Sequence, residues 1–199
     1  MILELLKEKT RANHSGIEKN ELLSSLMSPE LSVEMYLKVL EKFYGFFSPL
    51  EKNMAAEWSR LVFDEMIKAR LKTPLLEKDL SYFGWSPEKI KSVPVCSSLP
   101  GLDSEGKRIG VLYVAEGSTL GGQMIVKALK SSLGITRESG GSFFDGYGPK
   151  TAVMWGETRR IIEDFSAERE DVQSEILLSA ADTFEKLKKW FEKNRDGHE

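Results

Sequence analysis

Cysteine is nearly missing from this chain: Cys96 stands alone among 199 residues. An internal disulfide and a multi-cysteine metal site are thereby excluded. Histidine is also scarce, with only His14 and His198. Neither sign of charge dominates. The 28 Lys and Arg against 31 Asp and Glu leave a net charge of −3, so no global basic field argues for nucleic acid or an acidic membrane surface. No apolar run approaches the ~20 residues of a membrane span. The opening stretch MILELLKEKTRANH carries acidic residues and no long apolar core, so it reads as a helix rather than a signal peptide, and a cytoplasmic protein is expected. Internal repeats, low-complexity tracts, domain linkers and convincing alternating strand patterns are all lacking.

What is present is helical periodicity. The chain is long enough for one domain with a real core, and 41% hydrophobic content is ordinary for such a domain. Residues 2–14 place Ile2, Leu5 and Leu6 on one face. Ser32 caps a long helix with apolar residues at Val33, Tyr36, Leu37, Leu40, Phe43, Tyr44 and Phe47, the i, i+3, i+4, i+7 template. Pro49 kinks this helix without ending it. Further helices are expected over Leu61–Ala69, from Thr73-Pro74, over Ser104–Leu133 with Gly134 as C-cap, over Lys150–Phe165 and over Ala167–Phe191. The last carries a stripe of Leu177, Ala180, Phe184, Leu187 and Phe191. Segments 86–101 and 139–149 read mostly as loop. The expected fold is a single all-α domain over residues 1–193 with a polar tail, 194–199.

One helix breaks its own propensity. Residues 111–123, VLYVAEGSTLGGQ, hold Gly117, Gly121 and Gly122. Each glycine costs about 1 kcal/mol against alanine in a helix interior, so the three cost on the order of 3 kcal/mol. Such a loss usually has a packing or functional reason. Bare backbone lets a flat, rigid ligand lie against a helix, so this one is expected to roof a site for a large planar molecule.

His198 lies in the polar tail, which leaves His14 as the credible imidazole ligand. If the first helix continues, Glu18 lies one turn on, near the same face. A carboxylate there can hold the non-ligating ring nitrogen, fixing the tautomer and raising ligand basicity. Lys7 lies two turns before His14, about 10.5 Å away along the axis at ~1.5 Å per residue, within reach of an anionic substituent on a ligand centred over His14. The plainer alternative is a surface histidine with an incidental i, i+4 acid.

Taken together, KEKTRANH near the N-terminus, FYGFFSPLE in the middle and LYVAEGSTLGGQ later resemble the biliverdin-producing haem oxygenases. The resemblance is closest to the bacterial, phytochrome-associated branch, and it covers Leu3 to about Trp190 in the right order. It implies haem held between the first helix and the kinked Gly-rich helix. His14 would be the proximal iron ligand, Gly117 and Gly121 would lie over the distal face, and Gly122 would flank it. It also implies an oxidoreductase that uses haem as both substrate and cofactor. O2 and electrons from a ferredoxin or reductase would drive cleavage to biliverdin, carbon monoxide and iron. The resemblance to that branch implies a bacterial phytochrome as recipient of the biliverdin.

Departures from the family pattern bear on the site. Where the animal-type enzymes carry an aspartate after the first distal glycine, this chain has Ser118. It either orders water with backbone carbonyls freed by the glycines or simply bonds the preceding turn. Glu116 reads as an ion-pairing or solvent residue. The resemblance implies anchors for the haem propionates at Lys7, at Tyr113 on the Gly-rich helix, and at Arg159, which substitutes for an arginine absent after Trp155. Phe46, Phe47, Phe143, Phe184 and Trp155 are each more often core than haem wall. The main rival is a non-catalytic haem-binding carrier or sensor with the same fold. A di-iron carboxylate protein needs Glu-x-x-His pairs, but Arg11 stands three residues before His14. A thiamine-related hydrolase would need a catalytic cysteine, and Cys96 has no motif around it.

Overall fold

A computed structural model describes residues 1–58 and 67–193 of the chain. Helix α1 spans Ile2–Glu18 and buries Ile2, Leu6, Thr10 and Ile17. It runs four residues past the expected end, which puts Glu18 one helical turn beyond His14. Leu5, expected on the buried face, is exposed. The buried line of Ile2, Leu6 and Thr10 advances by fours, so it drifts away from Leu5 around the helix. A short helix α2, Glu21–Ser24, is capped by Asn20, whose side chain accepts from the Leu22 and Leu23 amides.

Helix α3, Val33–Trp58, contains Pro49 in its interior. Ser32 caps it, with its hydroxyl accepting from Met35 N–H at 3.1 Å. Proline lacks the N–H that would bond to the carbonyl four residues back. That carbonyl, on Gly45, instead accepts the Cys96 amide at 2.8 Å. Gly45 permits the approach, because a Cβ there would sit 2.4 Å from the Pro94 carbonyl oxygen. The Pro-rich segment therefore docks where α3 is short of a donor. The exposed Val33 does not join the buried face formed by Tyr36, Leu40, Tyr44 and Phe47.

Most of the expected Leu61–Ala69 helix falls on residues 59–66, outside the described residues. Helix α4, Thr73–Tyr82, starts at Thr73-Pro74 as expected. Segment 86–101, read mostly as loop, contains a short helix α5, Pro87–Lys91. The correction has a local cause: Ser86 Oγ accepts from Lys89 N–H at 3.2 Å, and Pro87 occupies the first turn.

The Gly-rich helix α6, Glu105–Leu133, is capped by Ser104 and ends at left-handed Gly134, φ +67°. The 139–149 stretch contains a helix α7, Ser142–Asp145, and a 3-10 turn at Gly148–Lys150. Buried Asp79 of α4 caps α7, accepting from Ser142 N–H at 2.8 Å and Phe143 N–H at 2.7 Å. Helices α8, Thr151–Ser166, and α9, Glu170–Glu192, complete the described chain. Among the described residues there is no strand.

Helix α6 packs against α9, α8 and α7, while α1 lies on α9 and α8 and α3 lies on α4. Gly110 sets the α6–α9 spacing, since a Cβ there would lie 2.7 Å from Ile176 O and 2.9 Å from Ala180 N. The buried stripe of α9 is Val172, Ile176, Ala180, Phe184, Leu187 and Phe191. Leu177, expected on it, is only partly buried.

Candidate functional site

A cavity of about 990 Å³ opens between α1 and α6, at the upper end of the 300–1,000 Å³ range of small-molecule sites. Lys7, His14, Glu18, Tyr113, Gly117, Ser118, Gly121, Gly122 and Arg159 all border it. Residues as far apart in sequence as Lys7 and Arg159 thus meet around one space.

His14 presents a half-exposed imidazole with Nδ1 3.4 Å from Glu18 Oε2. Its ring packs edge-on against Phe184 at 5.7 Å. The carboxylate stands beside one ring nitrogen and leaves Nε2 free to meet a ligand. Among the described residues no three His, Cys, Asp or Glu side chains gather as a metal site.

The three glycines of α6 divide by environment. A Cβ at Gly121 would meet nothing within 4 Å, and one at Gly117 would touch Trp155 Cη2 at an ordinary 3.7 Å. A Cβ at Gly122 would lie 2.3 Å from the Phe144 carbonyl oxygen. Gly117 and Gly121 thus leave space to the cavity, whereas Gly122 lets α7 approach α6 while also bordering the cavity. The Ser118 hydroxyl donates to Ala115 O at 2.8 Å. That is the preceding-turn bond, and it commits the proton while leaving the oxygen able to accept.

The walls are aromatic and aliphatic. Phe46, Phe47 and Phe184 are buried and line the cavity at the same time, so core and wall are one role. Phe143 packs 4.8 Å from Phe43. Trp155 stands 5.8 Å from Tyr113. Burial raises the Tyr113 hydroxyl above its ordinary range, a shift opposed by a hydrogen bond with Thr10. Lys7, Arg11 and Arg159 are exposed at the cavity border. The sequence enters Arg11 only against a di-iron motif, although its place one turn after Lys7 marks it as a further cation on that side.

Behind the wall lies a charged cluster that no spacing reveals. Glu116 is 1% exposed. Its carboxylate meets Lys72 Nζ at 2.7 Å and Arg70 Nη1 at 2.9 Å. The Tyr147 hydroxyl donates to it at 2.9 Å. Of the two readings of Glu116, ion pairing holds and solvent exposure does not. Burial, followed by the Glu116 charge, pushes the Tyr147 hydroxyl well above its ordinary range.

Comparison with known proteins agrees with this geometry. The family model described as Heme oxygenase matches residues 1–193. A heme oxygenase of Xanthomonas campestris pv. campestris (strain 8004) is 28% identical over 109 residues, which is 55% of this chain and 61% of that protein's length. Solved structures share the fold. Heme oxygenase from Leptospira interrogans superposes with a TM-score of 0.75 at 20% identity, covering 96% of this chain and 98% of its own. The NO- and CO-bound heme oxygenase from Neisseria meningitidis gives 0.71 at 20% identity, covering 98% and 94%. Heme oxygenase-1 from the cyanobacterium Synechocystis sp. PCC6803, in complex with heme, gives 0.70 at 17% identity, covering 96% and 90%. An all-α chain whose histidine faces a bare glycine backbone across a large apolar cavity, matched over residues 1–193 by one family model, belongs to the Heme oxygenase family.

Proposed function

We propose that this protein is a haem oxygenase, cleaving haem to biliverdin, carbon monoxide and iron with O2 and externally supplied electrons. The observation that carries the reading is the His14–Glu18 pair facing Gly117 and Gly121 across the cavity. The residues suit haem in three ways. An imidazole nitrogen is available for iron, the bare face of α6 admits a flat ring, and the lining is largely apolar. Cations at Lys7, Arg11 and Arg159 are placed to meet carboxylate substituents at the cavity border.

Haem, when bound, supplies the oxidative chemistry itself. The chain's residues bind and orient it. Glu18 holds the His14 ring in one tautomer and keeps the ligating nitrogen basic. Gly117 and Gly121 bring backbone, and no side chain, close to the ligand face. Phe46, Phe47 and Phe143 exclude water from that face. Ser118, with its proton committed to Ala115 O, offers an acceptor to an ordered water. Gly122 supports the site by seating α7 against α6, and Tyr113 and Arg159 steer the ring's orientation.

The family domain is taken as residues 1–193, with 194–199 a polar tail. The protein is placed in the cytoplasm. Among the described residues no helix is long and apolar enough to cross a membrane. A ferredoxin or reductase is the proposed electron donor, and a bacterial phytochrome a proposed recipient of biliverdin.

The test is an optical titration with hemin followed by ascorbate or a ferredoxin system in air. A one-to-one Soret complex that decays to biliverdin absorption, and that is lost in His14→Ala, supports the reading. A stable Soret complex with no pigment would make the protein a haem carrier or sensor. No complex at all would leave the family fold without the family activity.

A further inference from the structure

The Gly-rich helix sends no carboxylate into the cavity at position 118, and the Ser118 proton is engaged with Ala115 O. A different charged group reaches this side. Lys72, just before α4, borders the cavity although it is only 4% exposed. Among the described residues it is the one deeply buried charged side chain in the lining. Its ammonium lies 2.7 Å from Glu116 Oε1 and 3.1 Å from the Tyr147 hydroxyl. An ammonium has three N–H donors, so one is left over after these two bonds. Glu116 directly precedes Gly117, which places the ammonium behind the backbone that faces the ligand.

Lys72 and Arg70 share the buried carboxylate of Glu116, and the carboxylate of Glu51 accepts from the Lys72 and Thr73 amides. Glu157, the further partner of Arg70, is 52% exposed and therefore solvent-screened. Of these groups only Lys72 borders the large cavity, so its ammonium is the charge of the cluster that faces the apolar space, where a charge is felt most strongly. A merely structural ion pair would not need to place its cation on the cavity wall.

We infer that Lys72 is the positioning cation of this site. Held by Glu116 and Tyr147, it stabilises negative charge that develops on a small ligand between His14 and the Gly117–Gly121 backbone. Preorganised donors of this kind act most effectively in water-excluded sites. The inference rests on the haem oxygenase reading.

The experiment reads the C–O stretch of carbon monoxide bound to ferrous haem in the protein. Positive potential near the oxygen end draws electron density into the C–O antibonding orbital and lowers the frequency. Lys72→Met removes positive charge, so its stretch should rise. Glu116→Gln leaves two cations without their anion, so its stretch should fall. Lys72→Arg should stay near the unmodified protein. Lys72→Met should also slow turnover by about 10²-fold with hemin affinity retained. A purely structural cluster would move the Met and Gln variants in the same direction or in neither, and either result overturns the inference. Should Glu116→Gln fail to fold, Lys72→Met against Lys72→Arg decides. Failure of the unmodified protein to bind hemin would overturn the haem reading itself. A normal hemin complex with an unmoved stretch would overturn Lys72 alone.

Discussion

Replacing Gly121 with alanine should stabilise the protein and damage its site. Alanine is about 1 kcal/mol better than glycine in a helix interior. At Gly121 the added Cβ meets nothing within 4 Å, so no clash offsets that gain. For a domain of this size about 1 kcal/mol raises Tm by roughly 2–4 °C. Gly117→Ala should behave similarly, because its Cβ would only touch Trp155 at 3.7 Å. Gly122→Ala should do the opposite. Its Cβ would lie 2.3 Å from a backbone oxygen of Phe144, so α6 or α7 must shift. Overpacking of this kind costs about 1–3 kcal/mol, which equals or exceeds the propensity gain, and Tm should fall by up to several degrees. The assay is thermal and urea unfolding of the three variants without ligand, then hemin titration of each. Gly121→Ala and Gly117→Ala should unfold later and bind hemin more weakly, because the new methyl groups enter space that the ligand needs. Gly122→Ala should unfold earlier. A Gly121→Ala protein that is destabilised, or that binds hemin as tightly as the unmodified chain, would refute the reasoning that this glycine is kept for a ligand.

Three other outcomes are expected. Burial raises the Glu51 carboxyl above its ordinary range, so the folded chain holds that proton more tightly than the unfolded chain does. Its stabilising contribution is fully present below the ordinary carboxylate pKa and is lost as pH rises through the raised folded value. Burial raises Asp79 in the same direction, so Glu51→Gln should reduce that slope, and urea midpoints between about pH 4 and 7 with an undiminished slope would contradict the assignment. Ser118→Ala should leave stability within about 0.5 kcal/mol but alter turnover or the biliverdin isomer, and unchanged activity and product would end the proposed role for the serine. Lys7→Ala and Arg159→Ala should each weaken hemin binding by roughly two- to fivefold, as befits exposed ion pairs. The effect should shrink at high salt, and salt-insensitive losses would point to packing instead.

The helices of this protein, and the residues around its cavity, are legible from local rules. Periodicity of 3.6 marks α3 and α9, while Ser32, Ser104 and Gly134 mark helix ends, and all of these depend on neighbours within a few residues. The His14–Glu18 pair and the Gly117–Gly121 stripe are likewise i, i+4 relations, which is why the sequence places them on their faces. Short elements were harder to read. The α5 and α7 helices lie in stretches rich in Pro and Gly, where composition favours loop, and α7 depends on Asp79 from a distant helix to cap it.

Tertiary packing alone settles the rest. It separates Gly122, which makes room for the Phe144 carbonyl, from Gly121, which faces open space. It joins Gly45 of α3 to Cys96 where Pro49 lacks a donor. It gathers Lys72, Glu116 and Tyr147 over 75 residues of chain into one buried cluster. Spacing along a helix records which side chains share a face, because the helix repeats every 3.6 residues. It carries no record of what stands opposite that face, since such contacts are made only when distant segments pack to exclude water.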